Sequence, residues 1–98
     1  MPDRNKWALI WLLGERYVLN ILDALFEGPK RFADLADACP NEKTRTAKLR
    51  SLEEAGLIET VSSKIGKRFF VHYKLTEKGN EMLQELMRME DRYSLDEE

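Results

Sequence analysis

The spacing of apolar residues changes near residue 57. Before it they recur three and four apart, as helices require; after it they alternate for a stretch, as a half-buried strand requires. "WALIWLL" (residues 7–13) ends a first helix predicted from Asp3 to Leu13. Its second half has no polar face, so something must cover it all round. Gly14 interrupts, and a second helix is predicted from Glu15 to Phe26 with the stripe Val18, Ile21, Leu22 and Leu25. Gly28-Pro29 stops it. "RFADLADAC" predicts a short third helix with Phe32, Leu35 and Ala36 inward. Asn41 is a suitable N-cap for a fourth, which runs to Ala55 with Gly56 behind it and turns Leu49 and Leu52 to the core.

In "RFFVHYKL" (68–75), Phe69, Val71, Tyr73 and Leu75 fall on one face and Arg68, Phe70, His72 and Lys74 on the other. "LIETVS" (57–62) predicts the partner strand, and "SKIGK" (63–67) the hairpin loop. Thr76 caps a last helix with Met82, Leu83, Leu86, Met89 and Tyr93 on one side. The order is two helices, a short strand, two helices, a hairpin and a helix. Two short helices joined by a tight turn and followed by a hairpin form a winged helix-turn-helix. The fold class is therefore α+β, mainly helical, with extra N- and C-terminal helices. Residues 1–98 read as one domain: a winged helix-turn-helix over 15–76, terminal helices over 1–14 and 77–93, and an acidic tail over 94–98.

Charge sharpens this picture. The chain carries −2 overall, yet residues 30–74 hold ten Lys/Arg against six acids. The remainder holds six bases and twelve acids. A nucleic-acid surface needs local positive potential rather than net charge. In "KTRTAKLRSLEEAG" the bases Lys43, Arg45, Lys48 and Arg50 precede the acids Glu53 and Glu54. The helix dipole favours the reverse order. A helix that enters the major groove by its N-terminal part explains the inversion. Lys64, Lys67 and Arg68 form a second basic segment with no acid between Thr60 and Lys74. Both segments suit one duplex, the helix (41–55) in the major groove and the wing (62–69) on the backbone or adjacent minor groove.

Other chemistry finds little support. Cys39 is the only cysteine, which rules out an intrachain disulfide and fits a cytoplasmic location. It is expected to be a buried structural residue rather than an oxidant sensor. His72 stands alone and is expected on the wing surface; no zinc motif, cofactor motif or acid/base pair is present, so no enzyme is expected. The longest apolar run is far short of the ~20 residues that span a membrane, and no signal-peptide cleavage pattern follows it.

"LLGERYVLNILDALFEGPKRFADL", "KTRTAKLRSLEEAGLIE" and "VHYKLTEKG" together resemble the HxlR group of winged-helix regulators, related to MarR, over Leu12 to Leu86. The elements L..LEE.GLI and Y.LT..G recur in many winged-helix families; GP.RF.DL is the more HxlR-like part. The resemblance implies a homodimeric repressor or activator on palindromic double-stranded DNA. By position it places Lys43, Thr44, Thr46, Ala47, Lys48 and Ser51 on the solvent face of the recognition helix. The chain departs from the family at Tyr17, where tryptophan is usual, at Arg45, where an apolar residue is usual, and at Phe70, where arginine is usual. Arg45 is expected to reach outward or to pair with an acid.

The expected DNA-binding set is thus Lys43, Thr44, Arg45, Thr46, Ala47, Lys48, Arg50, Ser51, Lys64, Lys67 and Arg68. The expected dimer interface joins Trp7, Ile10 and Trp11 to Met82, Leu86, Met89 and Tyr93, because one small domain does not cover so much apolar surface. An effector, of a kind the sequence does not identify, would lie near Trp7, Trp11 or Tyr17. The competing reading is a winged-helix module that binds protein in the transcription machinery.

Overall fold

The computed structural model describes residues 6–95. Its elements are α1 (Ala8–Leu13), α2 (Val18–Phe26), a 3-10 turn (Ala33–Leu35), α3 (Glu42–Glu54), β1 (Ile58–Ile65), β2 (Arg68–Leu75) and α4 (Glu77–Arg92). This is the predicted winged helix-turn-helix, with α3 as second helix of the motif and β1–β2 as wing. The core joins Val18, Ile21, Leu22 and Leu25 of α2 to Leu35, Cys39, Leu49, Leu52, Leu57, Ile58 and Leu83. The predicted α2 stripe is buried in full.

Several boundaries differ from expectation. α1 begins at Ala8; Asp3 to Asn5 of the predicted helix lie outside the described residues. α2 begins at Val18 rather than Glu15, because Tyr17 takes a left-handed conformation (φ 74°) and the chain turns there. That conformation is uncommon for any residue but glycine. The third helix contracts to a 3-10 turn. At three residues per turn, Phe32, Leu35 and Ala38 share its inner side. Ala36, expected inward, is exposed for the same reason.

Both predicted N-caps are present. The Asn41 side chain accepts from the Thr44 amide at 2.9 Å, and Thr76 Oγ1 accepts from the Gly79 amide at 3.0 Å. Gly56 follows α3 with φ 76°, the left-handed position that ends a helix. Thr76 also donates to the Gly56 carbonyl at 2.7 Å, which ties the start of α4 to the end of α3. A Cβ on Gly79 would collide with the Leu57 carbonyl, so α4 can approach the start of β1 only through glycine.

The wing is longer and tighter than predicted. β1 and β2 pair antiparallel from Ile58–Leu75 out to Ile65–Arg68, leaving only Gly66 and Lys67 to connect them. Gly66 has φ 65° at the first connecting position, where a type II′ hairpin needs glycine. The predicted short strand reduces to one bridge: Lys30 N donates to Tyr73 O at 3.0 Å, and Tyr73 N to Lys30 O at 2.7 Å. Tyr73 and Leu75 pack on the core, but Phe69 and Val71 on the same face are exposed. The outer half of the ribbon projects beyond the helices that would cover it.

Candidate nucleic-acid interface

α3 presents three classes of position. Lys43, Thr46, Ala47 and Arg50 are exposed, spaced three and four apart on one face. Thr44, Lys48 and Ser51 are half-buried along its flank. Arg45, Leu49 and Leu52 point into the core. Thr46 donates its hydroxyl to the Glu42 carbonyl at 2.9 Å, which leaves its oxygen facing out as an acceptor.

Arg45 corrects the expectation. It is 3% exposed, so it neither reaches DNA nor snorkels, and its hydrogen-bond partners are carbonyls rather than an acid. Its guanidinium donates to the carbonyls of Cys39 (2.8 Å), Pro40 (3.1 Å) and Phe32 (3.2 Å) and lies 4.5 Å from the Phe32 ring centroid. The fork geometry of arginine suits acceptors converging from two places, Phe32 before the 3-10 turn and Cys39-Pro40 after it. Arg45 thus closes the helix-turn-helix corner from inside, directly before α3.

Ion pairing sorts the other central bases. Lys30 pairs with Glu27, Arg31 with Asp34, Lys74 with Glu59 across the hairpin, and Lys48 with Glu15 at 2.9 Å. Lys43, Arg50, Lys64, Lys67 and Arg68 are exposed and have no ion pair among the described residues. The unneutralised positive charge therefore gathers on the outer face of α3 and at the wing tip. Lys64 and Arg68 project from opposite faces of the ribbon, with Lys67 between them at the connection. Lys64 also lies 5.6 Å from the Phe69 ring centroid.

Neighbouring groups are electrostatically settled. The Arg31 amide and guanidinium hold the Asp34 carboxyl below its ordinary range, so it stays ionised. Burial, aided by the Glu53 charge, pushes the Tyr73 phenol up, so it stays neutral. Cys39 is fully buried in the core beneath the α3 N-terminus. His72 is half-buried and pairs in register with Val61. Among the described residues no three His, Cys, Asp or Glu side chains are placed to hold a metal, and no helix is long and apolar enough to cross a membrane.

The terminal helices expose apolar surface. Ile10 and Met89 are 51% and 54% exposed; Trp7, Trp11 and Tyr93 are also exposed, while Met82 and Leu86 are half-buried. Between α1, α2 and α4 runs an open groove of about 620 Å³ lined by Ile10, Leu13, Leu19, Leu86, Met89 and Tyr93, among others.

Sequence reasoning missed Glu15. Its partner lies 33 positions away on another element, and no periodicity or motif marks such a pair.

The HxlR-like helix-turn-helix family model matches residues 12–96. An uncharacterized HTH-type transcriptional regulator of Synechocystis sp., sll1512, is 38% identical over 88 residues; the match covers 87% of this chain and 56% of that protein, so the chain spans little more than half its relative's length. Among solved structures, diamide-treated YodB from B. subtilis superposes with a TM-score of 0.75 at 28% identity, covering 95% of this chain and 96% of that one. The structure of ytfH from Salmonella typhimurium gives 0.71 at 27% identity, covering 92% and 81%. The chain belongs to the HxlR-like helix-turn-helix family, and its winged helix-turn-helix is the DNA-binding fold of transcriptional regulators.

Proposed function

We propose that the protein is a homodimeric transcriptional regulator that binds a specific double-stranded DNA sequence. One observation carries the reading: five exposed cations without acid partners lie on the outer face of α3 and at the wing tip. α3 enters the major groove by its N-terminal half. Lys43 and Arg50 meet phosphate or guanine there, Thr44, Thr46 and Ser51 offer hydroxyls, and Ala47 offers a methyl to thymine. Lys64, Lys67 and Arg68 lie along the backbone or the adjacent minor groove. The apolar surface of α1 and α4 is covered by the second copy, with Trp7, Ile10, Trp11, Met82, Leu86, Met89 and Tyr93 at the contact. A two-fold dimer then requires a palindromic site. This reading places the protein in the cytoplasm and assigns it no catalytic step.

Selection of bound sequences from a random duplex pool tests all of it together. A palindrome with half-sites one helical turn apart is the expected outcome. Failure to bind any duplex at low salt, with a stable dimer, would overturn it in favour of a protein-binding winged helix whose basic face meets an acidic partner.

A further inference from the structure

α3 carries four bases, and their situations differ. Arg45 is consumed inside the fold, Lys43 and Arg50 stand free of acids, and Lys48 alone is held by a carboxylate. The Lys48 ammonium lies 2.9 Å from Glu15 Oε1, with side chains 21% and 38% exposed. Lys48 sits on the flank of α3, between the buried stripe and the groove-facing residues. Glu15 does not belong to that helix. It lies in the turn between α1 and α2, after Gly14 and before the left-handed Tyr17. The neighbouring Arg16 stacks on the Tyr17 ring at 4.7 Å, which leaves Lys48 as the Glu15 ion-pair partner among the described residues. The turn between α1 and α2 thus brings an acid to the flank of the helix proposed above to meet a polyanion.

We propose that Glu15 is an affinity-setting residue for DNA: it occupies Lys48 in the unbound protein, so that Lys48 becomes a phosphate contact only when DNA displaces the Glu15 carboxylate. This rests on the DNA-binding reading above. A partly exposed ion pair is weak enough to exchange. A lysine that moves from a protein carboxylate to a phosphate replaces one anion with another, so its gain is small. The carboxylate left behind then faces the phosphates and repels them. Lys48 is thereby set apart from Lys43 and Arg50, which meet DNA at no such cost. Neutralising Glu15 converts Lys48 into an ordinary free contact.

The test is a double-mutant cycle of Glu15→Gln and Lys48→Ala, read as affinity for a random-sequence duplex across a salt series. Glu54→Gln, at the far end of α3, controls for long-range charge, and thermal unfolding confirms that each variant folds. Glu15→Gln is expected to tighten binding by up to about fivefold per protomer, the scale of one exposed ion pair. It is expected to steepen the slope of log affinity against log salt by about 0.9 per protomer. Lys48→Ala alone is expected to change little, and to cancel most of the gain when combined with Glu15→Gln. Glu54→Gln is expected to leave the slope unchanged and to show no coupling to Lys48. The proposal is overturned if the Glu15→Gln gain survives Lys48→Ala in full, which makes it a long-range charge effect. It is equally overturned if Lys48→Ala alone weakens binding as much as Lys43→Ala, which makes Lys48 a DNA contact with Glu15 in place. Duplex binding by the unmodified protein with no response to Glu15→Gln removes this inference alone; no duplex binding at all removes the DNA-binding reading with it.

Discussion

Arg45 places a full charge in the core-facing stripe of α3, and main-chain carbonyls from both ends of the preceding 3-10 segment accept it. Three carbonyls, of Phe32, Cys39 and Pro40, take its N–H groups. Bonds to a charged donor are among the stronger contributors to stability, and a carbonyl that loses its only buried donor costs its desolvation. Arg45→Met keeps the volume and removes every donor. It is expected to destabilise the fold by about 3 kcal/mol. For a domain of this size that lowers Tm by roughly 12–24 °C, measurable by thermal unfolding. Arg45→Lys, which keeps the charge without the fork, is expected to fall between. An unchanged Tm in Arg45→Met would mean that the corner holds without its clamp. The apolar residue usual in the resembling family already marked position 45 as core-side, but not what satisfies an arginine there. Carbonyls from a turn have no side-chain signature, and for that reason the choice between DNA and an acid omitted the partner actually used.

At the scale of elements, side-chain chemistry that acts locally was legible and backbone geometry that acts at a distance was not. The α2 stripe, the Asn41 and Thr76 caps and the Gly56 stop all express neighbours within one turn, and all are present; the β2 alternation is met only at Tyr73 and Leu75, where helices lie beneath the strand. The left-handed Tyr17 and the 3-10 turn are set by packing between elements. Gly79 lies between these cases. Helix propensity alone predicts that Gly79→Ala stabilises α4 by about 1 kcal/mol. The Leu57 carbonyl occupies the space of that methyl, so the collision is expected to win. A net loss of about 3 kcal/mol, seen as a lower denaturant midpoint, is the expected result; a gain would mean that α4 and β1 separate easily. The wing makes a different prediction. Lys67 sits at the hairpin connection, where a phosphate contact carries no sequence information. Lys67→Ala is expected to weaken binding to operator and random duplexes alike. In a dimer it is expected to flatten the salt slope by about 1.8, from two lost contacts of about 0.9 each. A loss confined to the operator would instead assign Lys67 to base readout.

The basic face and the apolar terminal helices give the whole molecule two surfaces with opposite demands. A chain of 98 residues has a modest core, and the second copy proposed to cover α1 and α4 would add to it. Sedimentation at micromolar concentration is expected to give about twice the 11.5 kDa chain mass. Because Ile10 and Met89 are about half exposed within one chain, Ile10→Glu with Met89→Glu is expected to yield a folded monomer with helical circular dichroism intact. A variant that remains dimeric would move the interface elsewhere. The wing bears on the same molecule in a further way. Its two strands pair only with each other along most of their length, and Ile65 and Phe69 near its tip are each 69% exposed. A long ribbon with open edges and apolar side chains is a template for aggregation, which natural proteins blunt with charge. Lys64, Lys67 and Arg68 flank those side chains, so the cations proposed for a phosphate backbone are also placed to keep the ribbon soluble. Replacing all three with serine is expected to cloud a DNA-free solution that stays clear for the unmodified protein, as light scattering would register. On that outcome the charge at the wing is needed for solubility even where a target site makes no use of it.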